Sequence, residues 1–226
     1  MVNSWSALAL PALLIVPAMA LLSRIPAASP LACELRRKTL HFCAGLAALS
    51  FPLFLTTPWM VVAATALVIA WMMAVRGIPA LQRRFGCVLH DADRATCGEI
   101  YFALGIAGLL LLPHKNALWF VAPVLVLTFA DGAAAIVGRA YPRGRFRRIS
   151  RGKTWSGCLA FFVTALLIVF ASIRYFTALE SGEAVAIATL TAALCCLTEV
   201  LCSRGLDNLF IPAVAWLVLY PLTGGI

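Results

Sequence analysis

Apolar runs long enough to cross a bilayer recur along almost the whole chain, and this constrains the fold more than any single motif. They fall at about 4–23, 40–56, 58–75, 99–113, 117–138, 156–175, 183–202 and 207–223. A hydrocarbon-spanning helix needs about 20 mostly apolar residues, so the 40–56 and 99–113 runs are short but within tolerance. Backbone groups in lipid must be paired internally, so these runs are expected to be helices. With 63% hydrophobic and 12% charged residues over 226 positions, no separate soluble domain fits. The expected architecture is an all-α, polytopic transmembrane bundle of about eight spans, forming one integral-membrane domain over residues 1–226.

Charge placement supports that count. Eight spans leave loops 24–39, 76–98, 139–155 and 203–206 on one side, with four, four, seven and one Lys or Arg. Only Lys115 and Arg174 remain on the other side. The positive-inside rule makes the basic side cytoplasmic and both termini extracytoplasmic. The first run, Ser6 to Leu22, lacks a basic leader and reads as a retained helix. No targeting extension precedes it, which favours a prokaryotic plasma membrane over an organellar one. Eight cysteines do not suggest a disulfide framework, since most lie within or at the ends of apolar runs. Cys87 and Cys97, with His90 between them, match no usual zinc spacing.

The segment from Phe129 to Gly157, FADGAAAIVGRAYPRGRFRRISRGKTWSG, is the most informative for chemistry. Asp131 lies eight residues before Arg139, about 12 Å along a regular helix, and an ionisable group at lipid depth is a functional candidate. The loop that follows carries Arg139, Arg143, Arg145, Arg147, Arg148, Arg151 and Lys153. Orientation alone would account for a basic loop, but less readily for seven cations in seventeen residues interleaved with glycines. Gly152-Lys153-Thr154 is not a P-loop, because Arg147 stands where the first glycine belongs and no strand precedes it. It suits another arrangement: Gly152 lets backbone approach a phosphate, Lys153 adds a point charge, and the next helix presents its N-terminus. Arginines of the loop suit bidentate contacts to phosphate oxygens.

Four acidic residues, Glu99, Asp131, Glu199 and Asp207, map to the cytoplasmic ends of four different spans. Each has a structural reading too: Glu99 and Asp207 suit helix N-terminal dipoles, and Glu199 suits a pair with Arg204. Together, beside cations, they are a candidate Mg²⁺ site and a source of a general base. Lys38 and His41 lie near the same surface, and Arg37 and His41 share a face if helical. The combination suggests phosphoryl or nucleotidyl chemistry at a membrane surface.

Four ordered blocks resemble the polyprenol kinase family, which includes dolichol, phytol and farnesol kinases and a CTP-dependent diacylglycerol kinase. They are ELRRKTLHFCAG (34–45), CGEIYFALG (97–105), DGAAAIVGR (131–139) with GKTWSG (152–157), and TEVLCSRGLDNLFIP (198–212). The resemblance implies transfer of the terminal phosphate of a nucleotide, typically CTP, to a lipid alcohol, with a divalent cation. It implies site residues Asp131, Arg139, Lys153, Glu199, Asp207 and Asn208, with Lys38, His41 and Glu99 behind them. On this basis the expected catalytic set is Asp131, Lys153, Glu199 and His41. Metal ligands are expected from Asp131, Asp207 and Glu99. Nucleotide contacts are expected from Lys38, Arg139, Arg143, Arg148, Arg151, Gly152, Lys153, Thr154 and Asn208. The partners implied are nucleotide, lipid alcohol and membrane lipid, with no nucleic acid. Ser156 departs from the family, whose members often carry glutamate there. A cytidylyltransferase making a CDP-lipid is the enzymatic alternative, and a small membrane transporter the non-enzymatic one.

Overall fold

The computed structural model describes residues 4–25, 29–89, 97–113, 115–144 and 153–224. Nine helices account for most of them: α1 (Ser4–Leu22), α2 (Pro30–Ala48), α3 (Pro58–Gly77), α4 (Pro79–Leu89), α5 (Gly98–Leu111), α6 (Leu118–Ala140), α7 (Trp155–Phe176), α8 (Ser181–Leu201) and α9 (Asp207–Leu222). The architecture is all-α, as expected. Helices α3, α6, α7 and α8 are each long and apolar enough to cross a membrane, and shorter apolar helices lie at Pro11–Leu22, in α5 and in α9. This is a multi-pass membrane protein.

Faces sort as lipid and core require. On α7, Phe161, Ala165, Val169 and Ile173 are fully buried, whereas Leu159, Val163 and Leu167 point outward and are exposed. The partner helix α8 presents Ala184, Ala188 and Ala192, all fully buried. One small residue per turn lets two helices approach closely where no hydrophobic effect drives them together.

Two boundaries differ from expectation. The run at 40–56 is not one helix: α2 begins ten residues earlier, at Pro30, and ends at Ala48 before a 3₁₀ turn, Phe51–Leu53. Its start follows from Ser29, whose hydroxyl accepts from the Ala32 N–H at 3.1 Å, and from Pro30 in the first turn. Consequently Arg36, Arg37 and Lys38 lie on a helix, not in a loop. The loop expected at 76–98 contains α4, an amphipathic helix with Phe85 buried and Gln82, Arg83 and Arg84 exposed. His90 lies outside the described residues.

Helix α6 is continuous but irregular. Val126–Ala130 form a π-helical turn directly before Asp131. Such wide turns within α-helices are frequent at functional sites.

Candidate active site

Five helices deliver the charged side chains to one place. Lys38 and Asp131, both buried, form an ion pair between α2 and α6. His41, one turn after Lys38, lies with Nε2 3.4 Å from Asp131 Oδ2. The same nitrogen is 3.0 Å from the Leu127 carbonyl, an acceptor only, so Nε2 carries a proton and donates it to the π turn. Lys153, just before α7, reaches Glu199 Oε1 of α8 at 2.6 Å and Asp207 Oδ2 of α9 at 3.0 Å. Its ammonium also donates to the Glu199 carbonyl. Burial works against the Lys153 charge, but Glu199 and Asp207 more than offset it and raise its pKa above the ordinary lysine value. The ion remains an ammonium throughout the physiological range.

Close backbone contacts hold these groups in register. Thr154 caps α7 by accepting from the Gly157 N–H at 3.1 Å. A Cβ on Gly157 would lie 2.9 Å from the Ala134 carbonyl oxygen and 3.4 Å from Gly138 Cα, so α6 and α7 meet backbone to backbone one turn past Asp131. Arg204 and Gly205 adopt left-handed φ values of 57° and 89° to turn the chain from α8 into α9. A Cβ on Gly205 would lie 2.7 Å from Gly98 N, so that turn is pressed onto the start of α5. Asn208, in the first turn of α9, donates through Nδ2 to the Gly98 carbonyl at 2.9 Å.

One oxygen each from Asp131, Glu199 and Asp207 lie within 4.8 Å of one another. Two ammonium groups face these three carboxylates, and Glu199 Oε2 is buried without a hydrogen-bond partner. A hard oxygen-donor set with a surplus negative charge and an unsatisfied buried oxygen fits a divalent cation such as Mg²⁺. Glu99, expected among the ligands, is not part of this group. Arg76 Nε donates to Glu99 Oε1 at 2.9 Å, which turns that carboxylate toward α3.

Of the expected nucleotide contacts, Arg139 lies 3.6 Å from Glu34 Oε2, Arg143 is exposed beyond the end of α6, and Thr154 serves as the cap. Arg148, Arg151 and Gly152 lie outside the described residues. Ser156 bridges the base of the basic loop, its hydroxyl donating to the Tyr141 carbonyl and lying 3.1 Å from Thr154 Oγ1. Glu34 adds a residue that the expected loop at 24–39 does not point to, because that segment is the first half of α2. It is buried, accepts from Arg37 Nη2 at 2.6 Å, and ties α2 to the Arg139 end of α6. The i, i+3 spacing of Glu34 and Arg37 signals this once that segment is known to be helical.

Beside the ion cluster, an apolar cavity opens between α1, α2, α3 and α5. Arg37, His41, Glu99 and Asn208 line one end, and Phe51, Leu55, Ile106 and Leu110 the other.

Residues 6–204 match the model of the Cytidylyltransferase family. The chain belongs to this family. It is 29% identical over 199 residues to a phytol kinase of Synechocystis, an alignment covering 81% of this chain and 78% of that one. It is also 39% identical over 74 residues to an uncharacterized protein of Methanocaldococcus jannaschii, covering 32% of this chain and 36% of that one. No solved structure matches. The family includes dolichol and phytol kinases, and this chain is a phytol kinase-like member of it.

Proposed function

We propose that this family member is a nucleotide-dependent lipid-alcohol kinase, with CTP the donor and a polyprenol-, phytol- or farnesol-type isoprenoid alcohol the acceptor. One observation carries the reading: three carboxylates and two lysines, buried or half-buried and drawn from four helices and the residue pair before a fifth, meet in one cluster. Phosphoryl transfer is catalysed mainly by positioning and charge neutralisation, which is what such a cluster supplies. The phytol kinase similarity supports the alcohol acceptor.

In this reading the nucleotide docks from the cytoplasm, its phosphates approached by Lys153, Arg139 and the loop after α6. Asp131, Glu199 and Asp207 would hold a divalent cation, which supplies neutralisation of the phosphate charge. The alcohol enters from the bilayer and its oxygen attacks the terminal phosphorus. The bond from that phosphorus to the leaving nucleoside diphosphate breaks, and the hydroxyl proton passes to Asp131 or Glu199. Products are the lipid monophosphate and the nucleoside diphosphate. His41, whose Nε2–H is engaged by the Leu127 carbonyl, lies 3.4 Å from Asp131 Oδ2 and orients that carboxylate.

The proposed topology keeps eight crossings, both termini extracytoplasmic and the site cytoplasmic, in a prokaryotic plasma membrane. Support comes from the four long apolar helices, the three shorter ones and the apolar second half of α2, with basic α4 lying along the surface. The test is transfer of labelled terminal phosphate from CTP and from ATP to a panel of lipid alcohols by the purified protein. A labelled lipid phosphate with CDP released is expected. Release of pyrophosphate with formation of a CDP-lipid would replace the kinase with a cytidylyltransferase.

A further inference from the structure

We infer that the cavity between α1, α2, α3 and α5 is the acceptor channel, and that it holds about three isoprene units of a lipid alcohol whose hydroxyl is received by Asn208 Oδ1. This rests on the kinase reading above and assigns its acceptor a place and a length. The cavity is asymmetric. Its polar end carries Arg37, His41, Glu99 and Asn208, and His41 is also a member of the ion cluster through Asp131. Asn208 is buried, its Nδ2 is committed to the Gly98 carbonyl, and its Oδ1 has no hydrogen-bond partner. An unsatisfied buried acceptor is costly, and a hydroxyl donor from a ligand relieves that cost. Beyond this end the lining on α5 becomes apolar, through Phe102, Ala103, Ile106, Ala107 and Leu110.

The helix supplies a ruler. From Glu99 to Leu110 the rise along α5 is about 16 Å. An extended chain zigzags, so bonds of about 1.5 Å advance it by about 1.25 Å each; roughly three isoprene units then span about 15 Å and two units about 10 Å. Ala107 sits about 12 Å from the polar end, beyond the reach of a two-unit chain. Longer acceptors then pass Leu55 and Leu110 and continue into the bilayer.

Transfer by the full-length protein in lipid discs should be measured with geraniol, farnesol and geranylgeraniol, which differ by one isoprene unit at each step. For the wild type, kcat/KM is expected to rise from geraniol to farnesol and to change little beyond. Ala107→Phe should lower it about tenfold or more for farnesol and geranylgeraniol relative to geraniol, whose remaining turnover shows that the variant is folded. Leu110→Ala, which opens the far end, should favour geranylgeraniol over farnesol. Leu104→Phe lies on the exposed face of α5, outside the lining, and should leave the profile intact. If the wild type phosphorylates these alcohols but Ala107→Phe and Leu110→Ala change all three rates in the same proportion, or not at all, the channel is elsewhere and the kinase reading stands. If the wild type phosphorylates no alcohol, both fall.

Discussion

Lys153→Met removes one charge and almost no volume, and it leaves Glu199 and Asp207 facing each other without the ammonium between them. The pair distances of 2.6 and 3.0 Å and the low exposure of all three side chains mark this as a buried ionic cluster, not a surface bridge. Removing one partner from such a cluster costs about 3–5 kcal/mol, because the remaining charges are neither solvated nor paired. The double variant Lys153→Met/Glu199→Gln should regain about half of the lost stability, since one of the two orphaned charges, the more buried one, is then gone as well. Melting in detergent gives the first quantity. Label transfer gives the second, where both variants should lose about a hundredfold or more in kcat, as when a single preorganised charge-stabilising group is removed. Rescue of stability without rescue of turnover separates the structural part of Lys153 from the chemical part. A single variant that melts with the wild type, or a double variant that turns over normally, would refute the reasoning.

Other expectations follow from the same geometry. Gly157→Val places side-chain atoms against the Ala134 carbonyl and Gly138; it should cost about 1–3 kcal/mol and reduce turnover by displacing Lys153, measurable as paired losses in melting temperature and kcat. Glu34→Ala leaves Arg37 without its buried partner and should lower stability by about 1–3 kcal/mol with transfer largely kept, whereas Lys38→Met strands the buried Asp131 carboxylate and should lose both stability and transfer; label transfer distinguishes the two. Chelation of divalent ions should abolish transfer, and Mg²⁺ should restore it in wild type but not in Asp131→Asn. Because folding raises the Lys153 pKa, its contribution is fully present below the ordinary lysine value of about 10.4 and is lost only above it. The gap in melting temperature between wild type and Lys153→Met should therefore stay level from neutral pH to about 10 and narrow beyond.

Much of this site is legible in the residues alone, and the part that is not has a physical cause. Asp131, Glu199 and Asp207 stand out because each interrupts or bounds an apolar run, and a carboxylate at that depth needs a reason. Depth, however, says nothing of direction around the helix. Glu99 lies at a similar level and yet faces Arg76, while Glu199 faces Lys153. The early start of α2 is hidden for a related reason: its first half is too charged for a lipid-facing span, and its charges are tolerated because Glu34 and Asp131 neutralise them inside the bundle. Helix α4 is short and half polar, so it reads as loop in any scan for spans. The cavity is invisible to such a scan, because four segments far apart in the chain form its walls.

The wide turn at Val126–Ala130 has a consequence for how this protein can vary. A π turn holds about one residue more than an α turn, so excising one position there would let the segment close into regular helix with the aspartate still facing its lysine, whereas adding one would swing it by about 100°. The five-residue stretch acts as a phase shifter between an anchoring segment and a reactive one. Substitutions on either side are tolerable so long as that phase is kept; a one-residue deletion within the turn should be absorbed, whereas a one-residue insertion that leaves every polar side chain in the sequence should still silence the enzyme.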